Sequence, residues 1–218
     1  MENIVHARLG LLFIQIERLR AAHHLAEDAL IRHDEGIDEW YEERLKALQS
    51  TDPDDEEFLA YLLSEQKAEA ADAYPQVLRS ALFSTSYAIL EFFLTSLCKD
   101  LEPRSKGPRL RDLRGEGIRR AKLYLEKVAA VPIPESPEWQ DLMAYGLLRN
   151  ALVHSLGDLS SNEQRTAIEQ LGATTDTFRL AADYTSVSLG KDFNPLFIST
   201  IEAFAEQVDS ALRDANIA

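Results

Sequence analysis

Apolar residues recur on a helical period along almost the whole of this chain, and that recurrence confines it to an all-α architecture. Val5, Leu9, Leu12, Ile16, Leu19, Ala26 and Leu30 fall on a four-three spacing, with His23 in the same register. This predicts a seam helix of roughly 25 to 30 residues. Gly36 reads as its interruption, with a shorter helix over 38–48. The run Thr51-Asp52-Pro53-Asp54-Asp55-Glu56-Glu57 has the form of a helix start, with a polar cap, Pro in the first turn and carboxylates at the positive end. It opens a helix towards Ala73, and Pro75 predicts a kink or a new beginning. Further helices are expected over 76–100, 110–128, 138–156 and 194–213, the third stopping at Gly157. Ser160 and Glu163 have capping-box spacing for a short helix to Leu171. Pro103 and Pro108 bracket a loop, and residues 129–134 form an extended connector. Phe178, Leu180 and Ala182 alternate, as do Val187 and Leu189, so a small β-hairpin turning at Asp183-Tyr184-Thr185 is predicted.

The 218 residues suit one domain, or one domain with a helical extension. A single cysteine, Cys98, excludes a disulfide framework and a cysteine-rich zinc site. The apolar stretch from Leu9 to Ile16 is too short, and too soon charged, for a signal peptide or membrane span, so a soluble cytoplasmic protein is expected. The phosphate-cradling Gly-Lys-Thr loop, GxGxxG, GxSxG, HExxH and the ExxH ligands of di-iron bundles are all missing. His23, His24 and His33 invite a metal reading with Glu27 and Asp28. Adjacent imidazoles splay by about 100° on a helix, however, so solvated or seam histidines are expected. The acidic run 52–57 is explained by its helix start. No metal site and no cofactor are expected.

A net charge of −14 argues against a surface that coats nucleic acid nonspecifically. The segment 104–122 runs the other way. Arg104, Lys106, Arg109, Arg111, Arg114, Arg119, Arg120 and Lys122 face only Asp112 and Glu116, while the remaining residues hold fifteen cations and thirty-five carboxylates. Such a segment either balances acidic helices or forms a local phosphate-binding patch.

The sharpest signal is Leu147-Leu148-Arg149-Asn150-Ala151-Leu152-Val153-His154, which sets Arg, Asn and His in an otherwise apolar helix beside Gly146. Asn150 and His154 are one turn apart on one face, and the long Arg149 side chain can curl towards it. Ser84, Tyr87, Glu91 and Thr95 form a polar stripe on the preceding greasy helix. A bundle that joins the two stripes makes either a buried, satisfied Arg–Glu network or a functional site.

Residues 149–154 match the R-N-x-x-x-H form of the motif of HEPN domains, and residues 78–93, LRSALFSTSYAILEFF, resemble the helix that precedes it. The hairpin and the amphipathic last helix are also similar to the C-terminal part of that family. The resemblance covers roughly residues 75 to 215, which makes 75–218 a HEPN-like core and 1–74 a helical extension packing on it. It implies a metal-independent endoribonuclease of toxin or anti-phage type. Catalytic roles fall to Arg149, Asn150 and His154, supported by Glu91, Tyr87 and Ser84, with Arg114, Arg119, Arg120 and Lys122 binding RNA. It also implies a homodimer, with Gly146 permitting close approach of a partner helix, and restraint by a nucleotidyltransferase-type antitoxin or another defence partner. The alternatives are a noncatalytic HEPN protein binding RNA, nucleotide or a partner, and a helical adaptor whose Arg149 and His154 are inaccessible.

Overall fold

A computed structural model describes residues 2–48, 53–159, 161–172, 177–180 and 186–215. Helix α1 (Glu2–Ala47) runs without interruption. Gly36 costs helix propensity but keeps its backbone hydrogen bonds, so packing overrides it. The far half of α1 pairs with α2 (Pro53–Ala68), where Ile37 and Leu59 are buried and Lys67 reaches Asp34 at 2.9 Å and Asp38 at 2.7 Å. Pro75 neither kinks nor restarts the chain. A π-helical turn (Glu69–Ala73) widens the backbone just before it and leads directly into α3 (Tyr74–Leu101). The expected boundary at 74/75 therefore falls inside a helical run from 53 to 101. That run is long and apolar enough to cross a membrane, but half of its most apolar window is buried within the fold.

A 3-10 turn (Glu102–Arg104) closes α3, and a second (Leu110–Asp112) occupies part of the span expected to be helical. Gly115 (φ 99°) and Gly117 (φ 55°) break the chain in left-handed conformations, so α4 (Gly117–Lys127) begins seven residues later than the pattern suggests. The connector follows, with Val131 and Ile133 buried, and then α5 (Pro137–Ser155), capped by Ser136, which accepts from the Trp139 N–H at 3.2 Å. The box on α6 (Asn162–Gly172) is made by Ser161 and Gln164, each side chain accepting from the other's backbone N–H at 3.1 Å. That corrects the Ser160–Glu163 assignment by one residue. Ser160, Thr51, Asp52, Ala182 and the Asp183–Thr185 turn lie outside the described residues.

Strands β1 (Phe178–Leu180) and β2 (Val187–Leu189) pair antiparallel, with Phe178 opposite Leu189. The Gln76 amide of α3 donates to the Val187 carbonyl and accepts from the Leu189 N–H, which fastens β2 to the bundle. Helix α7 (Phe193–Asp214) completes the chain. Val5, Leu9, Leu12, Ile16 and Leu19 of α1 belong to the same core as α3, α4, α5 and α7. At its centre Phe83 meets Tyr145, Phe193 and Phe197 edge-on, with ring centroids 4.7 to 6.1 Å apart, and Tyr87 stacks on Phe197.

Lys122 is not a free cation. It is 5% exposed, ion-paired with Glu135 and Glu126, and its amino group lies 4.7 Å from the Trp139 ring. This lysine ties α4 to the start of α5 and is removed from the set of RNA-binding candidates. Lys122→Ala is expected to lower stability by about 1–3 kcal/mol, and Lys122→Met, which keeps the stem over Trp139, by less. Chemical denaturation measures both, and equal losses would mean that the charge alone matters.

Candidate functional site

Helices α3 and α5 approach closely because position 146 has no side chain. A Cβ there would lie 2.6 Å from the Tyr87 hydroxyl, so the space left free at Gly146 is filled from within the chain and not by a partner helix. Burial and the nearby Glu91 charge push Tyr87 up to about 12, against the opposing pull of Arg149 and Arg119. Tyr87 is therefore a neutral hydroxyl at physiological pH.

Over this hydroxyl opens a cleft of about 430 Å³ that gathers Tyr87 and Glu91 from α3, Arg119 from α4, Arg149 and Asn150 from α5, and Glu163 from α6. Gly115, Glu116 and Gly117 form one wall. The Glu91 carboxylate lies against Gly117, where a Cβ would come within 2.7 Å of Oε1. It makes no ion pair with Arg149 or His154 among the described residues, so the expected holding role for Glu91 is corrected. Arg149 donates from Nη1 to Asn150 Oδ1 at 3.1 Å, while its Nε is buried without a partner. Neither Arg149 nor Arg119 is ion-paired among the described residues. The lining thus sets two guanidinium groups, Arg149 and Arg119, among three carboxylates, Glu91, Glu116 and Glu163, beside a neutral phenol hydroxyl.

The other candidates fall elsewhere. His154 follows Asn150 by one turn but is exposed and outside the cleft lining. Just beyond it α5 ends through Leu156, which is 93% exposed at φ 51° and costs roughly 1–2 kcal/mol in a left-handed conformation. The inaccessible Arg149 and His154 of the adaptor reading are not found. Ser84 is half-buried one turn before the cleft, Arg114 is exposed outside it, and Arg120 faces a separate concavity. Of the histidines, His23 is buried and His24 exposed, their rings 5.5 Å apart. Among the described residues no three His, Cys, Asp or Glu side chains converge as metal ligands do.

Sequence reasoning missed Glu163 and the Gly-Glu-Gly wall. In the sequence Glu163 reads as part of a capping pattern, and only the two closely spaced glycines signal a special backbone. No family model matches the chain, and searches of curated proteins and of solved structures return no match either.

Gly146→Ala is expected to cost about 1–3 kcal/mol, because Tyr87 is fixed between rings and cannot retreat. Adding Tyr87→Phe removes the clashing oxygen and should recover much of the loss. The double-mutant cycle by denaturation checks the contact, and strictly additive losses would place the strain elsewhere.

Proposed function

We propose that the protein is a metal-independent endoribonuclease of the HEPN type. The observation that carries this reading is the convergence on one cleft of two guanidinium groups, Arg149 and Arg119, that form no ion pair among the described residues although Glu91, Glu116 and Glu163 line the same cleft. A phosphodiester is the anion that answers such a pair with a chemical consequence. RNA brings its own nucleophile, the ribose 2′-hydroxyl, so no metal-bound water is required. Arg149 stabilises the added charge of the phosphorane-like transition state. Asn150, already in contact with Arg149, keeps that guanidinium aimed at the phosphate.

RNA lying along α5 presents its 2′-hydroxyl or its 5′-oxygen to His154, whose imidazole serves as base or acid. The products are a 2′,3′-cyclic phosphate (or 3′-phosphate) and a 5′-hydroxyl. One imidazole is not base and acid in the same step, so the working form is a homodimer with two motifs at one composite cleft. A toxin or anti-phage effector acting in the cytoplasm, restrained by a nucleotidyltransferase-type antitoxin or a defence partner, belongs to the same proposal. A noncatalytic HEPN protein that binds RNA, nucleotide or a partner is favoured by one observation: His154 lies outside the cleft lining.

Single-stranded RNA incubated with the purified protein in EDTA separates the two readings. Cleavage is expected, with His154→Ala slowing it by about 10²–10⁴-fold while binding is largely kept. Arg149→Ala is expected to lose both rate and affinity. A requirement for added divalent metal, or a wild-type rate in His154→Ala, overturns the mechanism. Sedimentation should give about twice the 24.6 kDa chain mass, and a strict monomer at micromolar concentration removes the composite site.

A further inference from the structure

A second concavity, of about 460 Å³, shares α3 and α4 with the cleft. Lys99 from α3, Arg109 and Arg111 from the second 3-10 turn, and Arg120 from α4 converge there around Thr95. Among the described residues Lys99, Arg109 and Arg120 have no ion-pair partner, and Arg111 has only its neighbour Asp112 at 3.8 Å. The single carboxylate in the lining, Glu102, accepts from the Leu110 N–H at 3.0 Å and so helps to hold the turn that carries Arg109 and Arg111. Arg8, Lys67 and Arg79, by contrast, each hold a carboxylate at 2.7 Å or less. Four converging, essentially unpaired cations repel one another, and in a protein of charge −14 there is no shortage of carboxylates to neutralise them.

We infer that this concavity is a second phosphate subsite, which takes the backbone of the same single-stranded RNA some nucleotides away from the scissile bond. The inference rests on the ribonuclease reading of the cleft. Consecutive residues Arg119 and Arg120 point about 100° apart on α4, one into the cleft and one into the concavity. Along α3, Glu91 lines the cleft and Lys99 the concavity, eight residues or about 12 Å apart. With a stacked strand carrying one phosphate every 3.4 Å or so, that is a span of about three to four nucleotides. A strand crossing α4 therefore engages both sites, whereas a single phosphate engages one. The subsite makes affinity depend on RNA length and supplies part of the salt dependence of binding.

The test uses fluorescently labelled 2′-O-methyl oligouridylates, which cannot be cut, of about three and about twelve nucleotides, at several salt concentrations. The wild-type chain is expected to bind the longer probe about tenfold tighter or more, with a steeper salt slope. Lys99→Glu with Arg109→Glu, both exposed positions, should collapse that preference to about twofold or less and reduce the slope by about 1–2. Arg18→Glu with Arg32→Glu changes net charge equally on exposed positions of α1 and should keep the preference, which separates a local site from overall charge. A wild type that binds both lengths equally, or a Lys99/Arg109 variant that retains the length preference, overturns the subsite alone. Failure to bind either probe even at low salt overturns the subsite together with the ribonuclease reading.

Discussion

The separation of α3 and α5 is set by a tyrosine hydroxyl lying where a side chain at position 146 would stand. Tyr87 cannot yield, because its ring is stacked on Phe197 and meets Phe83 edge-on within the aromatic centre that joins α3, α5 and α7. From this contact the cleft is assembled by helical geometry. Glu91 follows Tyr87 by one turn on α3, and Arg149 and Asn150 follow Gly146 by about one turn on α5, so both helices send their polar groups to the same side. A shift of either helix would separate the two stripes.

Electrostatics then decides what the cleft can hold. The protein has a large excess of carboxylates, yet among the described residues Arg149 and Arg119 form no ion pair beside a hydroxyl that burial keeps protonated. Arg149 is half-buried, with its Nη1 donating to Asn150 and its Nε without a partner, whereas Arg119 is exposed. Helix α4 divides the basic segment, sending Arg119 to one side, Arg120 to another, and Lys122 into a buried contact with Trp139, Glu126 and Glu135.

The N-terminal helices show a second division of labour. The first half of α1 is core, contributing Val5 to Leu19 and the ion pair of Arg8 with Asp100. Its far half leans on α2 with few buried residues, and Leu25, Ile31, Phe58 and Tyr61 are exposed there. Between the two halves, Glu27 receives Arg79 in a two-pronged ion pair, and Arg79 also donates to the Leu189 carbonyl. A single guanidinium thus joins α1, α3 and the hairpin.

The all-helical class, the positions of β1 and β2, and the placing of Arg149, Asn150 and His154 on one helix are legible in the sequence, because side-chain periodicity is a local property of the backbone. Gly36 and Pro75 mislead for the same reason: each disfavours a helix locally, and packing against α2 in one case and a π turn in the other outweigh that preference. The cleft itself is not legible. Sequence shows that Arg119, Arg120 and Lys122 are charged, but the direction each faces and the carboxylate or ring each meets depend on residues far along the chain. Gly146 looks like an invitation to a second protein until Tyr87, 59 residues earlier, is seen to occupy the space. Residue type and helical phase are written in the chain, whereas the partner of a charge and the occupant of a gap exist only once the helices have packed.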